Sequence, residues 1–252
     1  MKKITLSFDN GPDPEITPYV LDVLARHEIR TTFFVVGEKL RDPARRRLCE
    51  RARADGHWIG NHTFNHLTPL GRSQYPEAYR LEIARTQELI GELAHPHKFF
   101  RPFGGGGNLD DSLLDQPSLS HLLKERFTCI LWNVVPRDWE NPGGWVSTAV
   151  EQCRSEEWPL VVLHDLQTGA MSHLEEFLLE MQSDGAQFVQ EFPDLCVPIA
   201  RGEIVGEIRP FVSESRTTFQ SRYSIRSCSP GSEAPTDERK LRGYPHVSPT
   251  TR

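Results

Sequence analysis

Short apolar runs rich in β-branched and aromatic residues recur along the chain at Ile4–Phe8, Thr31–Val36, His57–Asn61, Lys98–Arg101, Thr128–Val134, Leu160–His164 and Gln187–Gln190. Their length and composition predict strands. Between them the apolar spacing lengthens to a helical period. Thr17–Arg26 places Thr17 as a cap, Pro18 in the first turn, and Val20, Leu21 and Leu24 on one face. A second helix is predicted from Pro76 to Leu93, with Ile83, Thr86, Leu89, Ile90 and Leu93 along one side. Arg45–Arg47 falls in the helix between the second and third strands, where a charge run reads as a solvated face. Regular alternation of strand and helix implies a parallel sheet, and this number of units suits a distorted, incomplete (β/α)7 barrel better than two Rossmann halves.

The pattern fades after about Gly206. Only seven of the last 47 residues are Leu, Ile, Val or Phe, while Ser, Thr, Pro and Arg dominate. The division expected is a folded domain over 1–205 and a disordered tail over 206–252. The tail holds eight basic and five acidic residues against a whole-chain charge of -6, leaving -9 on the folded part. A molecule so charged offers no general attraction to nucleic acid, which leaves small molecules or sugars as partners. No apolar run is long enough for a signal or membrane-spanning segment, so a cytoplasmic location is expected. Five cysteines without a C-x-x-C pair argue against a disulfide framework and a thiolate zinc site.

Candidate chemistry gathers at the carboxyl ends of the predicted strands. Asp9 and Asn10 follow the first strand, His62 and His66 the third, and Asp138 the fifth; Arg101 ends the fourth and His164 the sixth. In a parallel barrel those ends share one face, so residues distant in sequence can meet in one cleft. The four-residue spacing of His62 and His66 lets both imidazoles reach one ion. Gly104–Gly107 lacks the spacing and the Lys-Ser/Thr of a phosphate loop and reads as a flexible loop near the site. Arg101 and Asp138 have a plainer alternative as a structural ion pair. His57 and His121 match no pattern and read as structural or exposed, and Asp165 should point away from His164 across the strand.

Five segments in order, Ser7-Phe8-Asp9-Asn10-Gly11-Pro12, His62-x-x-x-His66, Arg101-Pro102-Phe103-Gly104, Arg137-Asp138-Trp139 and Leu163-His164-Asp165, resemble the motifs of the NodB-homology polysaccharide deacetylases, carbohydrate esterase family 4. The resemblance spans residues 2 to 200 and implies metal-assisted hydrolysis of an N-acetyl or O-acetyl group. It casts Asp9 as general base, Arg101 as its orienting partner, His164 as general acid and Asp138 as the carboxylate that keeps His164 cationic. His62, His66 and Asn10 become ligands of a divalent metal such as zinc. Phe103, Trp139 and Leu163 fall beside the substrate, an acetylated sugar or small amide.

Two positions depart from the family pattern. Asn10 stands where a metal-binding Asp is usual, so the ligand set loses a charge and metal affinity should fall. Val135 stands where a further Asp often precedes Asp138 by three residues, which puts an auxiliary hydrogen bond in question. Three readings follow: a metal-dependent deacetylase, a metal-independent amidase or cyclic imidase of the allantoinase-like type, and a non-catalytic carbohydrate-binding module. A retained base and acid argue against the last, because sugar binding needs neither.

Overall fold

The computed structural model describes residues 1–214. Its centre is a ring of parallel strands: β1 (Lys3–Asp9), β2 (Thr32–Val35), β3 (Trp58–Asn61), β4 (Phe99–Phe100), β5 (Thr128–Cys129) and β6 (Leu160–His164). β1 lies between β6 and β2, and β3, β4 and β5 follow in order around the ring. Between β5 and β6 the only strand-like pairing among the described residues is an isolated parallel bridge, Val134 to Val161. The barrel is therefore closed there by a single stitch. Beyond β6, β7 (Gln187–Val189) pairs with the foot of β1, and an antiparallel hairpin, β8 (Ile199–Ala200) with β9 (Glu203–Ile204), extends the sheet from β5.

Helices α1 (Ile16–Arg26), α2 (Pro43–Ala54), α3 (Thr86–Ile90), α4 (Gln116–Lys124), α5 (Trp145–Ser155) and α6 (Leu174–Ser183) cover the outside. Strand alternation sorts the side chains. Ile4, Leu6 and Phe8 of β1 and Val161 and Leu163 of β6 join Val20, Leu24, Trp145, Val150 and Phe177 of the helices in the main core. Thr5, Ser7 and Asp9 therefore face the barrel interior, and all three are buried. On β1 this is an inverted arrangement, polar within and apolar without, and it is tolerated because each of these three inner groups has a partner. Thr5 Oγ1 accepts from Trp158 Nε1 at 2.9 Å, and Ser7 Oγ accepts from Arg101 at 2.6 Å.

Several expectations need adjustment. Thr17 does not cap α1; Asp13 does, its Oδ1 accepting from the amides of Glu15 and Ile16 at 2.9 and 3.0 Å. The helix expected over Pro76–Leu93 is a π-helical segment, Arg80–Arg85, continued by α3, so only Ile83, Thr86, Ile90 and Leu93 of its apolar side are fully buried. Arg45 and Arg46 are not simply solvated: Arg45 donates to the Pro12 carbonyl at 2.7 Å and Arg46 to that of Leu89. The chain also stays folded past Gly206, since Ile208 and Val212 are buried and Val212 bridges to Leu114. The tail expected over 206–252 lies, from residue 215 on, outside the described residues. Cys49, Cys129, Cys153 and Cys196 are buried free thiols, each pushed up to about 12 chiefly by burial, which makes them poor nucleophiles.

Candidate active site

Asp9 is the last residue of β1, and strand alternation aims its carboxylate into the barrel mouth. Arg101, immediately after β4, lies wholly within the barrel and donates from Nη1 to Asp9 Oδ1 at 2.9 Å. The same nitrogen reaches Ser7 Oγ, while Nε and Nη2 donate to the carbonyls of Ile130 and Leu131 at 3.3 and 3.2 Å. Its guanidinium carbon stands 4.1 Å from the centre of the Phe34 ring. A buried cation so fully engaged has one orientation, and it transmits that orientation to Asp9. Arg101 therefore partners Asp9 and not Asp138.

Asp138 pairs instead with His164. Its Oδ1 accepts from His164 Nδ1 at 2.8 Å and its Oδ2 from the His164 backbone amide at 2.9 Å. The first bond assigns a proton to Nδ1 and leaves Nε2 for the cavity. Burial, the largest single influence on His164, opposes its charge; the hydrogen bond and charge of Asp138, aided by Asp9 and Asp165, outweigh it, and the pKa is raised. The Trp139 ring meets that of His164 edge-on at 4.7 Å, which fixes the imidazole plane.

The other histidines are held neutral. His62 Nδ1 donates to the Arg101 carbonyl at 2.9 Å, which directs the lone pair of Nε2 elsewhere. Burial lowers the pKa of both His62 and His66 to about 3. The 3.6 Å approach of His62 Nε2 to Asp9 is accordingly not an ion pair. The two rings lie 4.7 Å apart, on a loop where Thr63 and His66 both adopt positive φ, and His66 rests against Phe103 at 3.9 Å. Asn10, also at positive φ (73°), has a buried Oδ1 with no hydrogen-bond partner. Two neutral imidazoles and an unpartnered amide oxygen suit a divalent first-row cation. Among the described residues no three His, Cys, Asp or Glu side chains make such a set without that amide.

Asp9, Asn10, His62, His66, Phe103, Trp139 and His164 all line one cavity of about 240 Å³. Leu163 does not. It is fully buried in the outer core, because it alternates with Val162 and His164, which point inward. The apolar wall comes from Trp132, Val135, Val162 and Leu166, together with Trp139. Val162 was legible in advance as the residue two before His164, and Ser7 as the residue two before Asp9. Trp132 had no such signal, since the extended chain after β5 departs from strand pairing. Gly104, Gly106 and Gly107 do line the cavity, and Trp132 Nε1 donates to the Gly107 carbonyl at 3.0 Å. His57 is structural as expected: it is buried, accepts from the Thr31 amide at 3.1 Å and is lowered to about 4 by burial.

A family model described as polysaccharide deacetylase matches residues 1–116. Two Bacillus cereus proteins named peptidoglycan-N-acetylglucosamine deacetylase are similar to the chain. One is 32% identical over 196 residues, covering 75% of this chain and 85% of the relative. The other is 30% identical over 194 residues, covering 74% of this chain and 66% of the relative. A chitooligosaccharide deacetylase of Rhizobium leguminosarum bv. trifolii is 35% identical over 170 residues, covering 65% of this chain and 72% of its own. Among solved structures, the Bc1960 peptidoglycan N-acetylglucosamine deacetylase superposes with a TM-score of 0.62 at 28% identity, over 75% of this chain and 85% of that one. A family 4 acetyl xylan esterase from Clostridium thermocellum, in complex with a cobalt ion, superposes with a TM-score of 0.61 at 25% identity, over 75% and 88%. With this barrel, this ordered set of strand-end residues and relatives matched over most of their length, the chain belongs to the polysaccharide deacetylase family.

Proposed function

We propose that this protein hydrolyses the acetyl group of an N-acetylated amino sugar, with Asp9 as base and His164 as acid. One observation carries the reading: the two groups face the same small cavity, and each is held by its own buried partner, Arg101 or Asp138. Asp9 takes a proton from the attacking water while Arg101 keeps its carboxylate aimed. Water oxygen bonds to the acyl carbon, the carbon–nitrogen bond breaks, and His164, protonated on both ring nitrogens, gives its Nε2 proton to the departing amine. Acetate and a free amino sugar result. Trp132, Val162 and Leu166 offer an apolar surface for the acyl methyl group.

Asn10, His62 and His66 would hold a divalent cation, zinc by preference of the donor set. When bound, it supplies Lewis acidity and a lowered pKa for water. The presence of cobalt in the acetyl xylan esterase supports this reading. The relatives named for peptidoglycan and chito-oligosaccharides support a sugar carrying N-acetylglucosamine, and a cavity of about 240 Å³ suits one such ring. The uncharged Asn10 favours a second reading, hydrolysis of a small amide or cyclic imide without metal. Acetate release from N-acetylated chito-oligosaccharides, followed with metal analysis, tests both. Release abolished by a chelator and restored by zinc is expected; release indifferent to the chelator selects the second reading, and no release from any acetylated sugar overturns the first.

A further inference from the structure

Asp165 follows the acid His164, yet none of the chemistry above uses it. Strand alternation turns it away from the cavity, and it is fully buried behind the turn that carries Asp9 and Asn10. Its carboxyl group lies against Gly11: a Cβ added there would come within 2.2 and 2.3 Å of its two oxygens. Gly11 is thus required by proximity and not by its backbone angle. Asp165 Oδ2 accepts a hydrogen bond from Thr17 Oγ1, and Thr17 Oγ1 in turn accepts from the Asp13 amide at 2.7 Å. The turn is held at its other edges by Val36, whose amide donates to the Gly11 carbonyl at 3.1 Å, and by Arg45 on the Pro12 carbonyl.

We infer that Asp165 is a positioning residue, whose carboxyl forms the back wall of the Asp9–Asp13 turn and so sets the placement of the base and of Asn10 from behind. One strand end then serves both halves of the reaction: His164 acts on the cavity side and Asp165 braces the opposite side. Shape and one hydrogen bond do this work. Burial, the dominant influence, pushes the Asp165 carboxyl up to about 7 against the hydrogen bond from Thr17 and the charges of Lys39 and His164, and its Oδ1 has no hydrogen-bond partner. A neutral side chain of equal size should therefore substitute.

Asp165→Ala and Asp165→Asn separate these contributions. Amide exchange at Val36 and Asp13, resolved by NMR, reads the turn without reference to activity. In Asp165→Ala both amides should exchange about tenfold faster while that of Trp58, bonded to Thr31 between β2 and β3 of the same sheet, is unchanged. On an acetylated substrate kcat should fall about 10- to 100-fold with KM within about twofold. Asp165→Asn should restore both readouts to within about twofold of wild type. Wild-type exchange in Asp165→Ala, or equal damage in Asp165→Asn, overturns the inference. If Asp165→Ala does not fold, Thr17→Val, which keeps volume and deletes the hydroxyl, should speed Val36 exchange severalfold, and an unchanged rate is equally fatal. The kinetic arm rests on the deacetylase reading; if wild type releases no acetate that reading fails alone, because the exchange arm still decides.

Discussion

The two halves of the cavity are built to different rules. On the acid-base side the working groups are partnered: Asp9 by Arg101, Arg101 by Ser7 and two carbonyls, His164 by Asp138. On the ligand side Asn10 Oδ1 is buried with nothing to accept from, and the two imidazoles are neutral, with the Asp9 carboxylate 3.6 Å from His62 Nε2. Groups that must hold one geometry through a reaction are fixed by the protein itself, while groups that hold an ion remain open to it. The loss of a carboxylate at Asn10 falls on the open side only. Under the proposed mechanism it would alter how tightly an ion is held and leave the proton-transfer groups as they stand.

Substitutions on each side should therefore fail differently. The largest effect is expected for Asp9→Asn, which keeps the side chain's size but removes the proposed base; acetate release should drop by about 10²- to 10⁴-fold, and a rate near wild type would end the assignment. Arg101→Ala strands a buried carboxylate and should cost about 3–5 kcal/mol of stability as well as activity, measured by denaturant unfolding. Loss of activity without destabilisation would show that Arg101 is not the structural anchor its contacts describe. Asp138→Asn removes the main influence that raises His164. The raised pKa stabilises the fold fully below the unfolded value of about 6.5, and that contribution is lost as pH rises through the folded pKa. The variant should thus lose stability on the acidic side, and the alkaline limb of its pH–rate profile should move to lower pH; an unmoved limb would remove His164 as the acid. The smallest effect sharpens the contrast most. Asn10→Asp should tighten zinc binding by about tenfold, near 1.4 kcal/mol, in competition with a chelating dye, while the fold is unaffected. Equal affinity would mean the amide already serves as well as a carboxylate.

Much of this was legible in the chain because strand ends and period-two alternation place side chains without reference to distant contacts. Asp9, His62, Arg101 and His164 each stand at or just beyond a strand end, whereas Asp138 lies nine residues past β5, and Asp165 points away from His164 as alternation requires. The same rule, applied to Leu163, would have assigned it to the outer core; the motif drew attention to the residue and hid its direction. Which carboxylate Arg101 would choose was not legible, since that depends on how far β4 lies from β1 and from the loop after β5. Nor was the cap of α1: Thr17 and Asp13 both suit the role, and the structure gives it to Asp13, while the Thr17 hydroxyl donates to Asp165, 148 positions away, and accepts from the Asp13 amide.

The single bridge between Val134 and Val161 has a consequence for how this enzyme would wear out. β1, which carries Asp9, is locked between two well-paired neighbours, whereas Asp138 and His164 approach each other across a joint that has a single bridge. Their ion pair is then also a clasp on that joint. As temperature rises, the joint should part before the rest of the barrel melts, so that the Asp138–His164 pair is lost first and, under the proposed mechanism, inactivation runs ahead of unfolding.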